Sequence, residues 1–153
     1  MTTSHAIAAL LTKQLRQRYR ALDRALTAGV GPAESERQIG DRPSIAWHAR
    51  HLGDAIESTR AALFGHPPEH GDEGAWPARW EELRDAVLAA GTALAHDLEQ
   101  GDPEDLERSP QIPILPAFQE ALSTRQSFLE GHIYHVAYHV GSIAVSRAAF
   151  DLD

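Results

Sequence analysis

Apolar residues along this chain recur every three or four positions, and no stretch shows the alternation of apolar and polar residues that marks a half-buried strand. A chain with that one period must form helices and bury their apolar faces against one another, which makes the fold class all-α. Four stretches carry the pattern, with breaker-rich loops between them. The first runs from about Ser4, read as an N-cap, to about Thr27, with Leu11, Leu15, Tyr19, Leu22 and Leu26 on one face, and Gly29, Gly31 and Pro32 end it. The second opens near Pro43 and Ser44 and closes at Gly65, with Ile45, Leu52, Ile56 and Leu63 as its stripe. The third extends from near Pro77 to about Gln100 through Trp80, Leu83, Val87, Leu94 and Leu98, and Gly101 stops it. The fourth and longest runs from about Ala117 to Phe150.

Between them lie a Pro- and Gly-rich loop from His66 to Trp76, expected to cover one end of the fold, and a Pro-rich connection from Asp102 to Pro116. Four long amphipathic helices joined by loops describe a four-helix bundle forming one domain over residues 1–153.

Composition narrows the function classes. Fourteen Lys and Arg against 22 Asp and Glu give a net charge of −8, which repels nucleic acid and anionic membrane surfaces as partners. No apolar run approaches the ~18 residues of a membrane span and the first residues lack a signal-peptide pattern, so a cytoplasmic location is expected. The chain has no cysteine, which excludes disulfides, a thiolate metal site and a cysteine nucleophile. Any thiol chemistry must come from a cosubstrate. Nine histidines remain as the unusual feature.

Three of them lie on the fourth helix. On a 100° wheel with His139 at zero, His135 falls at about −40° and His132 at about +20°, with Phe128, Ile143, Ser146 and Phe150 within about 40° of the same line. This reading puts all three imidazoles on the inward stripe. One histidine on an apolar face is ordinarily a core residue bonded to a carbonyl or water, but three on one face place costly polar groups where something must satisfy them. His135 and His139, at i and i+4, can converge on one metal ion; His132 can also pair with His135, so spacing alone leaves the pair open. An open metal site wants three protein ligands, and the second helix offers His48 and His51. His48 sits nearer the Ile45, Leu52 and Ile56 stripe, whereas His51 shares a row of mostly small residues, Ser44, Trp47, Ala55, Ser58 and Ala62, that would leave a cavity beside it. His5, His66, His70 and His96 read as solvated surface groups.

Two segments carry a resemblance to a known family. The run Ser44-Ile45-Ala46-Trp47-His48-Ala49-Arg50-His51-Leu52 and the run His135-Val136-Ala137-Tyr138-His139-Val140-Gly141-Ser142-Ile143 are similar to the second-helix and fourth-helix patterns of the DinB/YfiT-like four-helix bundles. The resemblance spans essentially the whole chain and implies His51, His135 and His139 as metal ligands, with His48 and His132 as neighbours. Two positions depart from the pattern: Val136 stands where these proteins often have Glu, and Ser142 where they usually have Gln. The resemblance further implies one divalent ion, commonly zinc or nickel, and a homodimer. Characterised members use the metal with a low-molecular-weight thiol as transferases or isomerases, and others are regarded as metal-dependent hydrolases. The expected function is therefore a metal-dependent enzyme, a thiol-dependent S-transferase or isomerase acting on small electrophilic molecules, with a hydrolase or a non-catalytic metal-stabilised module as the alternatives. His48, His132 and Tyr138 are candidates for proton transfer, and Arg147 and Ser142 for cosubstrate contacts. Trp76 and Trp80 are candidates to bury against a second copy or to close the metal pocket.

Overall fold

A computed structural model of the chain describes residues 2–152. Four long helices, α1 (Thr3–Thr27), α3 (Ile45–Phe64), α4 (Trp80–Gln100) and α5 (Arg125–Ala149), are joined by connections that hold a short helix α2 (Pro32–Glu36) and three 3-10 turns, and no strand occurs among the described residues. No helix among them is long and apolar enough to cross a membrane.

Each long helix packs chiefly on two others: α1 against α4 and α5, and α3 against α4 and α5. Consecutive helices α1 and α3 thus occupy opposite corners, as do α4 and α5, an arrangement that the long connections permit. The stripes read from the sequence form the core. Leu11, Leu15, Leu22 and Leu26 of α1, Ile45, Leu52, Ile56 and Leu63 of α3, and Trp80, Leu83, Val87, Leu94 and Leu98 of α4 are all buried.

Helix ends follow local capping chemistry. Ser44 accepts the Trp47 N–H through its Oγ at 3.1 Å and starts α3, while Gly65, at φ 70°, supplies the left-handed turn that ends it. Thr2 rather than Ser4 caps α1, its hydroxyl accepting from the His5 N–H. Helix α4 begins at Trp80 rather than Pro77, with Glu81 and Glu82 in its first turn, where the helix dipole favours them.

The fourth long helix starts at Arg125, not near Ala117. Thr124 and Ser127 form a reciprocal capping box there, and the backbone before them makes only a 3-10 turn at Pro116–Phe118 followed by turns. Residues 116–124 therefore lie off the helix, and three of them, Phe118, Ala121 and Leu122, line a cavity beside α3 and α5.

Two further expectations change with burial. Trp76 and Trp80 are both buried within the chain, where Trp76 Nε1 donates to Asp54 Oδ1 at 2.7 Å and Trp80 Nε1 donates to the Val30 carbonyl at 2.8 Å. They offer no surface to a second copy and do not line the cavity beside the histidines. Trp76 also crosses α3 so closely at Gly53 that a Cβ there would stand 2.5 Å from its ring, which explains the glycine.

Candidate metal centre

The inward arc of α5 is centred on Leu129, Ile133, Val136, His139 and Ile143, all buried. That arc is rotated from the line through His139 used on the wheel, so the three histidines do not share one environment. His132 and His139 are buried, whereas His135 lies half-buried at the rim of the core. A rim position is where a side chain can meet both a neighbouring helix and a cavity.

His135 meets α3. Its Nε2 lies 3.1 Å from His51 Nε2 and 2.9 Å from His139 Nε2, so one nitrogen from each of three imidazoles converges on a single region. The three offer ligand atoms all within 4.8 Å of one another, and they are the ligands that the resemblance implies. Tetrahedral coordination at about 2.0–2.1 Å per nitrogen separates ligand nitrogens by roughly 3.3 Å, close to the spacing found. The donor set, three imidazoles from two helices, suits a borderline-soft divalent ion with one position left for a small molecule.

Proton bookkeeping supports that fit. Burial pushes His139 down from the ordinary histidine value to about 3, with further depression from nearby His135, His48 and His51. His135 is lowered as well, by burial and then by His51. Neutral imidazoles at pH 7 have a lone pair to give, which a protonated ring lacks.

The neighbours separate by role. His48 is buried in α3 and its Nδ1 lies 2.8 Å from Nδ1 of His139, on the far side of the ring from the triad. When His139 ligates through Nε2, its Nδ1 carries the proton and donates to His48 Nδ1, the outer hydrogen bond that fixes a ligand's tautomer and orientation. His48 is thus the core residue that its stripe suggested and also an orienting partner of a ligand. Burial, followed by His51 and Arg42, lowers its pKa to about 4.

His132 turns the other way. Its Nε2 lies 2.8 Å from the hydroxyl of Tyr19 on α1, and burial first, then His135, lowers its pKa to about 3. Burial raises Tyr19 well above the usual tyrosine range. The pair is a neutral, partly buried contact between α1 and α5.

Aromatic rings brace the ligands. Trp47 stacks on His51 with centroids 4.9 Å apart and planes 8° from parallel, and the exposed Tyr138 stands edge-on to His139 at 5.2 Å. Ser142 is half-buried one turn beyond His139. Arg147, a sequence candidate for cosubstrate contacts, is turned into the fold instead. It is buried, and its guanidinium donates to the carbonyls of Ala25 and Ala28 at the end of α1 and to that of Leu152 at 2.8 Å. Those carbonyls lack helical partners, so the cation ties α5 to the negative end of the α1 dipole.

Beside the triad lies a cavity of about 560 Å³ between α3, α5 and residues 118–122, lined by Ala55, Ser58, Phe128 and Gly131 among others and also by His132 and His135. The small residues predicted to leave room beside His51 include two of its wall residues, Ala55 and Ser58.

Trp47 shares the His51 row in the sequence, and the stacking bears that placement out. Sequence reasoning missed two other contacts. Tyr19 had no local signal for its partner, because it lies 113 residues from His132. His70 was read as solvated, yet it is half-buried, stacks on Trp76 with ring centroids 3.8 Å apart, and lies with Nδ1 2.6 Å from Oε1 of the buried Glu57.

A triad of imidazoles from two helices, inside a bundle of four long helices, defines a histidine-triad helical-bundle protein. The family model of the DinB superfamily matches residues 1–143, and the chain belongs to that superfamily. No curated protein and no solved structure matches it.

Proposed function

We propose that the chain is a metal-dependent enzyme that holds one divalent ion, zinc or nickel, on His51, His135 and His139 and uses it to activate a low-molecular-weight thiol for attack on a small electrophile. The observation that carries this reading is the convergence of three imidazole nitrogens beside a cavity that His135 also lines. A bound ion supplies the positive charge that lowers the pKa of a thiol or water at its open position.

The protein's own part is positional. His51, His135 and His139 bind, His48 holds the His139 ring in register through its Nδ1, and Trp47 restrains the plane of His51. Residues 118–122 cover part of the cavity from the solvent side, which places a substrate next to His135.

One observation favours a thiol over water. Among the described residues no Asp or Glu lines the cavity beside the triad, so no carboxylate stands ready as a general base. A free thiol near pKa 8.5 needs only a modest shift to ionise at pH 7, while water starts from 15.7. Protein loaded with zinc or nickel is expected to accelerate conjugation of a thiol from a broad panel to a haloarene or epoxide, and chelation or His139→Ala to remove the rate. Turnover of esters or amides alone, with no thiol reaction, replaces this reading with a hydrolase; neither reaction in fully loaded protein replaces it with a non-catalytic module.

A further inference from the structure

We infer that the cavity beside the triad is a binding site for an uncharged hydrophobic small molecule, and that Gly131 is the residue that keeps it open. The assignment of that molecule as the substrate rests on the proposed metal-dependent function; its binding does not.

The volume, about 560 Å³, lies within the range of small-molecule sites. Phe118, Leu122 and Phe128 supply large apolar surface, and among the described residues no Asp, Glu, Lys or Arg lines the cavity. Its few polar groups are largely engaged: Thr59 Oγ1 donates to the Ala55 carbonyl at 2.7 Å, and His132 Nε2 meets the Tyr19 hydroxyl. A charged ligand entering such a space gives up hydration without gaining a partner of opposite charge. An aromatic or branched aliphatic body gives up nothing and gains contact with the three large apolar side chains.

Gly131 is an independent pointer to an occupant. It lies inside α5, where glycine weakens a helix relative to alanine, and its φ is not in the left-handed region. Crowding does not require it either. Outside its own helix, the only heavy atom of the described residues within 4 Å of a Cβ built there is Leu122 Cδ2 at 3.5 Å, an ordinary contact. Neither backbone geometry nor packing among the described residues therefore explains the glycine. A side chain at 131, facing Leu122, would instead occupy space that belongs to the cavity. Ala121, on the exposed segment, and Ala55, on α3, are likewise small wall residues.

Fluorescence titration of the full chain with the uncharged probe N-phenyl-1-naphthylamine tests the inference, first metal-free and then zinc-loaded. The probe is expected to bind with a blue-shifted, enhanced emission in both states. Gly131→Phe should weaken binding at least tenfold, and so should Ala121→Trp, a change in an exposed turn that leaves the long helices untouched. The sulfonate-bearing counterpart, 1-anilinonaphthalene-8-sulfonate, should bind the metal-free chain at least tenfold more weakly in 0.5 M salt, where the protein's overall charge is screened. No probe binding, equal binding by both variants, or equal binding of the sulfonate overturns the inference. If the probe binds as expected while no thiol or hydrolytic turnover is found, the binding site stands and the enzymatic reading falls. If turnover is found and saturating probe fails to inhibit it, the enzymatic reading stands and the cavity is not its substrate site.

Discussion

Helix α3 carries two polar clusters that are chemical opposites. On one face the imidazole of His51 joins those of His135 and His139; on another, Glu57 meets His70. Glu57 accepts from the His70 backbone N–H at 3.1 Å through Oε2, and its Oε1 takes the imidazole Nδ1. Ligand atoms of Glu57, Glu69 and His70 also fall within 4.8 Å of one another, so spacing alone would admit a cation in either place. Chemistry separates them. In the second cluster an acceptor already faces a donor, and the result is a clasp that holds the loop of residues 65–79 to α3. In the first, Nε2 of His135 meets two other ring nitrogens, and a neutral ring nitrogen has one proton or one lone pair to offer, not two. A cation bound at their meeting point would take one lone pair from each of the three rings.

The largest expected effect tests that difference directly. Purified chain should bind about one zinc or nickel ion, and His135→Ala, His139→Ala or His51→Ala should abolish tight binding, with a loss exceeding the ~10–100-fold that removal of an outer hydrogen-bonding partner costs. Glu57→Gln should leave the stoichiometry unchanged. Metal analysis and calorimetry read both; full occupancy in every triad variant, or loss of the ion in Glu57→Gln, exchanges the roles of the two clusters.

The pH dependence comes next in size. His132, His139 and His48 have folded-state values lowered to about 3, 3 and 4, against an ordinary value of 6.5 in the unfolded chain. Between those limits the unfolded state binds more protons than the folded one, so stability rises with pH and falls as pH drops below about 6.5. Each group can contribute up to about 1.4 kcal/mol per pH unit in that window. Urea unfolding of the metal-free chain is expected to show decreasing stability from pH 7 to pH 4.5, and a flat profile would mean that these rings are not held neutral.

Much of this arrangement was legible in the sequence, for physical reasons that also mark where legibility ended. Periodicity identified the buried faces of α1, α3 and α4, because a helix must place residues such as Leu15, Ile56 and Val87 on the side that meets its neighbours. The i, i+4 pair of His135 and His139 and the small-residue row at His51 were likewise local patterns, and the family resemblance then selected these three over His48 and His132. What failed was either terminal or long-range. The start of α5 was misread because residues 117–124 have enough apolar character to pass for helix, while the Thr124 and Ser127 capping box that begins it is a weaker signal than the Glu-bearing form. That error concealed a wall of the cavity. A loop position suggests a solvated His70 and a cationic side chain suggests a cosubstrate contact for Arg147, but their partners, Glu57 and the end of α1, are contacts that only the fold brings near.

His48 offers a finer test within the first cluster. Because it touches His139 through the nitrogen opposite the triad, His48→Ala should retain the ion with an affinity lowered about 10–100-fold, and His48→Asn or His48→Gln should recover part of the loss by keeping an acceptor. Competition with a chelator of known affinity gives the ranking. Complete loss in His48→Ala, with retention in His51→Ala, would shift the ligand set by one turn of α3.

The smallest effect belongs to the clasp. Glu57 is buried and His70 half-buried, so removing one partner leaves the other without its bond: Glu57→Gln and His70→Gln should each lower stability, by about 1–3 kcal/mol, measured by urea unfolding. Part of the His70 loss is its stacking on Trp76, which the Glu57 variant leaves in place. The double variant should therefore cost less than the sum of the singles, with a coupling of about 1–2 kcal/mol assigned to the Glu57–His70 contact alone. Metal affinity at the triad should be the same in all three proteins, since the clasp holds the loop on a different face of α3 from His51. Additive losses would mean that the two side chains stabilise the loop separately, through Trp76 and the backbone. A change in metal affinity in step with the coupling would join the two faces of α3 into one site.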